Sequence, residues 1–176
     1  MFKFIFDSIL KNRVKWSNFR NKNNLVDCEV DEVVTRPVEL VNVAKKIYAK
    51  FTYQYDGPTE LFDSMRFPAQ CYSDYKNGLL KDDCDGFHAA LYHVAQKNSF
   101  DSYLLTYIPT KLSKSHTVLL VKHEGYYYVF DYRVLRAKSK DINEIIKTIE
   151  TKCKVNIICY NFVKFVDGQY VVVNEV

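Results

Sequence analysis

The chain has no CxxC pair, and its five cysteines (Cys28, Cys71, Cys84, Cys153 and Cys159) are odd in number. That argues against a zinc knuckle or a disulfide framework and for a reducing, cytoplasmic setting. It also lacks a charge bias. The formal net charge is only +4, with basic and acidic residues interspersed, so there is no electrostatic case for binding nucleic acid. The apolar run at residues 2–6 is too short for a signal peptide, and no later stretch is long enough to cross a bilayer, so no integral membrane segment is expected. Repeats and low-complexity tracts are missing as well. What is present is a 176-residue chain, 48% apolar and 15% aromatic, which is enough for one domain with a substantial core. Residues 1–36 read as an extension packing on a core of residues 37–176.

The most informative stretch runs from Lys81 to Ala95. Asp82 or Asp83 is placed to cap a helix, because a short carboxylate accepts the orphan N–H groups of a first turn. Cys84, Phe87, Leu91 and Val94 or Ala95 then recur on one helical face. A cysteine in the first turn of a buried helix sits at the positive end of the helix dipole, which predicts a lowered thiol pKa. Such a thiolate needs a base.

Of the four histidines, His116 opens a strand in which Val118 and Leu120 share its face. After His123-Glu124-Gly125 comes Tyr126-Tyr127-Tyr128-Val129-Phe130-Asp131, strongly β-prone. A two-residue Glu124-Gly125 turn pairs His123 with Tyr126, Val118 with Asp131 and His116 with Arg133. His116 and Asp131 then lie on one sheet face as diagonal neighbours, roughly 7–8 Å apart by backbone. A turn one residue longer, without a bulge, would separate them. The order is nucleophile, base, and the carboxylate that orients the base.

These residues carry a resemblance. Asp-Cys-Asp-Gly-Phe opening a helix, Ser-His-Thr-Val-Leu-Leu-Val in a strand, and Tyr-Val-Phe-Asp after a glycine turn resemble the transglutaminase-like cysteine peptidase superfamily, closest to its bacterial proteinases. The likeness runs from about Phe51 to Asp131 and includes Phe51-Thr52-Tyr53-Gln54-Tyr55-Asp56 and Pro68. Asp82 stands where the family commonly has glycine. The resemblance implies a papain-like α+β fold, with a central helix carrying Cys84 packed on an antiparallel sheet carrying His116 and Asp131. It implies a cysteine peptidase or amidase acting through a thioester on a peptide or protein substrate, with no cofactor. A protein-glutamine transglutaminase or deamidase, or an inactive binding module, are the alternatives. In one calcium-dependent branch acidic residues flank the cysteine, as Asp83 and Asp85 do here, but Gly86 breaks that pattern and capping is the expected role.

Each residue also has a plain structural reading. A helical cysteine is commonly a small buried hydrophobe, and His116 alone could be an ordinary strand histidine. Asp131 is harder to explain that way, since aspartate is disfavoured in such a strand and needs a partner when buried, though it could be a strand-end residue in a turn with Arg133. His88 shares the Cys84 face and, with His116 and Asp131, offers ligands zinc accepts. The spacing is not a usual zinc spacing, and no metal is expected. His93 and His123 read as structural or surface residues.

The remaining chain supplies the frame. Phe2, Ile5, Phe6, Ile9 and Leu10 could face either the domain's own core or a membrane surface, with core docking favoured. Residues 18–24 read as a loop, 30–34 as extended, and 38–53 as a helix through Leu40, Val43, Ala44, Ile47, Tyr48 and Phe51. Residues 59–80 show no sustained period and, with 109–114, read as loops forming a substrate wall. Gln70, Tyr72 and Tyr75 are candidate oxyanion donors. A strand at 102–108, a helix from near Lys140 with an Ile142, Ile145, Ile146 and Ile149 stripe, and a hairpin around Asp167-Gly168 complete an α+β pattern.

Overall fold

The computed structural model describes residues 2–54, 64–109, 115–174 and 176; the side chain of Phe2 is not included. The expected turn at Asp56-Gly57-Pro58 and the loop at 110–114 lie outside the described residues. The element order is α1 (Phe2–Asn21), a 3-10 turn (Pro37–Glu39), α2 (Leu40–Lys50), β1 (Thr52–Tyr53), α3 (Pro68–Lys76), β2 (Lys81–Asp82), α4 (Cys84–Lys97), β3 (Asp101–Ile108), β4 (His116–His123), β5 (Tyr126–Asp131), β6 (Val134–Ser139), α5 (Ile142–Cys153), β7 (Cys159–Val166) and β8 (Gln169–Val173).

The six long strands form one antiparallel sheet in the order β6-β5-β4-β3-β7-β8, so the fold is α+β as expected. Strand alternation splits the sheet into two faces. Leu104, Leu119, Val121 and Phe130 join the core beneath α2, α3 and α4. Leu105, Val118, Leu120 and Val129 meet Ile145 and Ile149 of α5 on the other side. Helix α4 is buried on all sides from Cys84 to Ala95, which makes it the central helix of the fold.

Several boundaries differ from the sequence reading. The second helix ends at Lys50, and Thr52–Tyr53 leave it to pair with Lys81–Asp82, laying a short parallel ribbon directly before Cys84. Within the supposed loop at 59–80, residues 68–76 are helical. Pro68 begins that helix where its missing N–H costs nothing, and Pro68, Cys71, Tyr72 and Tyr75 are buried at helical spacing. Strand β6 was not anticipated, because the Tyr132-Arg133 turn before it has neither glycine nor asparagine; Tyr132 takes φ of 48° there.

Helix α1 extends into the supposed loop, as far as Asn21. Its buried face is Leu10, Arg13, Val14, Ser17 and Asn21, displaced from the stripe expected near its start. Polar groups can face inward because the backbone beneath them is itself unsatisfied. Asn18 exchanges two hydrogen bonds with Tyr170 (Nδ2 to carbonyl 2.8 Å, N–H to Oδ1 2.7 Å), closing part of the edge of β8. Ser17 accepts the Met65 N–H at 2.9 Å, and Asn21 donates to the Met65 carbonyl at 3.0 Å.

Candidate active site

Cys84 occupies the first position of α4, and Asp83 is the N-cap, its Oδ1 accepting the Asp85 N–H at 2.9 Å. The glycine two residues on is required by close approach: a Cβ on Gly86 would sit 2.2 Å from the Asp82 carboxylate. Asp82 in turn caps the Asp83 N–H at 2.9 Å and pairs with Arg66 at 3.4 Å. The helix start is thus fixed by a short sequence of carboxylates.

The Cys84 thiol is buried, and its Sγ accepts the backbone N–H of Thr117 at 3.4 Å. Thr117 follows His116, so the thiol abuts the start of β4. The His116 Nε2 lies 2.9 Å from Asp131 Oδ1, which assigns Nε2 as the protonated nitrogen and leaves Nδ1 as the basic atom. The β4–β5 register pairs His123 with Tyr126 through a Glu124-Gly125 turn of positive φ, so the diagonal relation of His116 and Asp131 follows as the parity argument predicted. By that parity their side chains leave the sheet on the α5 side. His116 nevertheless lies at the strand's first residue, where its ring meets His88 of α4 at 6.0 Å and Tyr132 at 5.9 Å. The candidate site is therefore at the end of the sheet.

Asp131 has a second partner that sequence reasoning missed. Arg136 of β6 donates to Oδ2 from Nε at 3.1 Å and from a terminal nitrogen at 2.7 Å. Asp131 ends β5 and leads into the turn at Tyr132 and Arg133, where the Arg133 guanidinium lies over the Tyr48 ring at 4.7 Å; on the other side of β4, His116 pairs with Tyr107. Burial opposes ionisation of Asp131, but the hydrogen bonds from His116 and Arg136 outweigh it and hold the carboxyl well below the usual range. Nothing in the sequence marked Arg136, because the turn that brings it back was not legible.

His88 is a further missed contributor. It is fully buried, with Nδ1 2.5 Å from the Cys84 carbonyl and Nε2 accepting the Tyr132 N–H at 2.8 Å. Both nitrogens are engaged, so neither is open to a metal. Burial, with His116 nearby, pushes its pKa down to about 4 and keeps it neutral. Its role is to tie the α4 start to the turn after Asp131.

The thiol electrostatics differ from expectation. Burial and the carboxylates of Asp83 and Asp85 push the Cys84 thiol well above its ordinary value; the Thr117 N–H and Arg13 act the other way and do not prevail. Asp85 is fully buried, with Oδ2 2.9 Å from a terminal nitrogen of Arg13 on α1. Burial alone would raise its pKa, yet Asp83 and Arg13 hold it low. Oxygens of Asp82, Asp83 and Asp85 lie within 4.8 Å of one another, but each carboxylate already has a protein partner and serves capping and pairing.

Of the oxyanion candidates, the Tyr72 hydroxyl donates to Glu32 and is engaged elsewhere, while the Tyr75 ring lies tilted against Tyr72 at 5.5 Å. Gln70 stands on α3, its Oε1 buried without a hydrogen bond among the described residues. His93 is buried with Nε2 2.7 Å from the Cys28 carbonyl, and His123 packs against Phe100. A cleft of about 470 Å³ opens beside Asp131, walled by Tyr48, Phe51, Tyr53, Tyr132 and Arg133.

Comparison with family models, with curated proteins and with solved structures finds no match to this chain. Among the described residues, no helix is long and apolar enough to cross a membrane. All five cysteines are free.

Proposed function

We infer that the chain is a thiol-dependent acyl-transfer enzyme of the transglutaminase-like, papain-like type, a cysteine peptidase or amidase acting on a peptide or protein. One observation carries this reading. At the end of the sheet an ion-paired Asp131 holds Nε2 of His116, and the thiol of Cys84 hydrogen-bonds to the residue next to His116.

In this reading Nδ1 of His116 takes the thiol proton as sulfur attacks the substrate carbonyl carbon. Burial and the flanking carboxylates favour the protonated sulfur, so in this reading proton transfer accompanies attack, and the imidazolium is stabilised by Asp131. The Thr117 N–H supports the developing thiolate, and the Cys84 N–H at the helix start holds the oxyanion. His116 then protonates the leaving amine, leaving a thioester that water resolves. The aromatic cleft beside Asp131 supplies a face for substrate side chains. A reducing cytoplasmic setting keeps Cys84 reduced.

The test is alkylation by iodoacetamide mapped to each cysteine by mass spectrometry. Cys84, although buried, is expected to react faster than the more accessible Cys28 and Cys153, and His116→Ala is expected to slow it selectively. Reaction at Cys84 no faster than at Cys28, and unchanged by His116→Ala, would refute the catalytic reading and favour a binding module.

A further inference from the structure

Helix α1 presents two unlike faces. Its inward side, Leu10, Arg13, Val14, Ser17 and Asn21, is docked as described. On the outside Phe4 is 80% exposed, Ile5 48%, Trp16 37% and Phe19 62%. With 3.6 residues per turn these four fall within an arc of about 120°, centred roughly opposite the docked side. Trp16 and Phe19 stack at 5.6 Å, and cations lie over both rings, Arg20 at 6.0 Å from Trp16 and Lys22 at 5.3 Å from Phe19.

Charge identifies the occupant. The helix carries Lys3, Lys11, Arg13, Lys15 and Arg20 against the single acid Asp7, a formal +4 that equals the net charge of the whole chain. Arg13 is turned inward to Asp85; Lys3, Lys11, Lys15 and Arg20, followed by Lys22, are exposed. At 1.5 Å per residue the helix is about 30 Å long, and its apolar side chains are spread along it from Phe4 to Phe19. Aromatic rings flanked by long cationic stems suit the boundary between headgroups and acyl chains, where the rings enter and the ammonium groups stay with the phosphates.

We propose that the outer face of α1 docks the protein, as a peripheral and not a spanning element, on an anionic phospholipid surface. This is independent of the acyl-transfer reading. The device is built without loosening the fold, because the opposite face of the same helix is held by the Arg13–Asp85 pair and by hydrogen bonds to Met65 and Tyr170.

Trp16 is the only tryptophan in the chain, so its emission reports directly on this face. The full chain is mixed with vesicles of phosphatidylcholine alone or with phosphatidylserine added, following Trp16 emission and co-sedimentation. The expected result is a blue shift and sedimentation with phosphatidylserine vesicles, weakened by salt. Phe4→Ser/Phe19→Ser and Lys15→Glu/Lys22→Glu should each reduce partitioning by about tenfold or more, with far-UV circular dichroism unchanged. Three results would overturn the proposal: no shift with either vesicle, equal binding to both that charge reversal does not move, or a lipid-free, concentration-dependent shift with dimer formation, which would assign the face to a second copy.

Discussion

Replacing Asp131 with asparagine changes few atoms, yet the geometry predicts a large effect with a specific cause. Oδ1 accepts from His116 and Oδ2 from two nitrogens of Arg136. A guanidinium only donates, so in Asp131→Asn the amide oxygen must stay on Arg136 and the NH₂ must face His116. Nε2 of His116 then becomes an acceptor, its proton moves to Nδ1, and Nδ1 can no longer take a proton from sulfur. On the proposed acyl-transfer mechanism, a wrong tautomer of this kind would cost ~10⁴-fold in rate, about 5 kcal/mol. Alkylation requires only deprotonation and should lose about 10²-fold. The double variant Asp131→Asn/Arg136→Met frees the amide to rotate and offer its oxygen to Nε2, so it should react faster than Asp131→Asn. The assay is the rate of Cys84 alkylation at neutral pH, together with the ring nitrogen shifts of His116 by NMR. Retention of the Nε2–H tautomer in Asp131→Asn, or no recovery in the double variant, would refute the reasoning.

Arg13→Met leaves Asp85 buried without its ion-pair partner and is expected to cost about 3–5 kcal/mol in urea unfolding, whereas Arg13→Met/Asp85→Asn should cost less; equal losses would contradict the pairing. His88 supplies a pH dependence. Its folded pKa of about 4 lies below the ordinary 6.5, so between these values the unfolded chain binds more protons and stability falls as pH drops through the window. The span corresponds to about 3 kcal/mol. The groups facing His88 are Cys84, Tyr132, His116, Asp131 and Asp85. Unfolding free energies at pH 7 and 4.5 should therefore differ less in His88→Gln than in the parent chain, and an unchanged difference would show that His88 is not the responsible group.

Local order was largely legible in the sequence. Of the two aspartates placed to cap α4, Asp83 does so, Cys84 opens the helix, and the Glu124-Gly125 turn sets the parity that joins His116 to Asp131. Each depends on residues a few positions apart: a cap and its first turn, a helical period, a two-residue hairpin. The helix α3 was missed although Pro68, Cys71, Tyr72 and Tyr75 have the right spacing, because the aromatics around them obscured the period.

What tertiary structure alone decided is which distant groups meet. Arg136 holds Asp131 because an unmarked turn at Tyr132 folds β6 back alongside β5. Arg13 reaches Asp85 across 72 positions of sequence, and that pairing settles which face of α1 turns inward. The thiol of Cys84 illustrates the difference most directly. The sequence placed it at a helix dipole that favours a thiolate, while burial beside Asp83 and Asp85 raises its pKa instead. A helix period is written in consecutive residues, whereas desolvation and charge depend on everything the fold brings within a few ångströms.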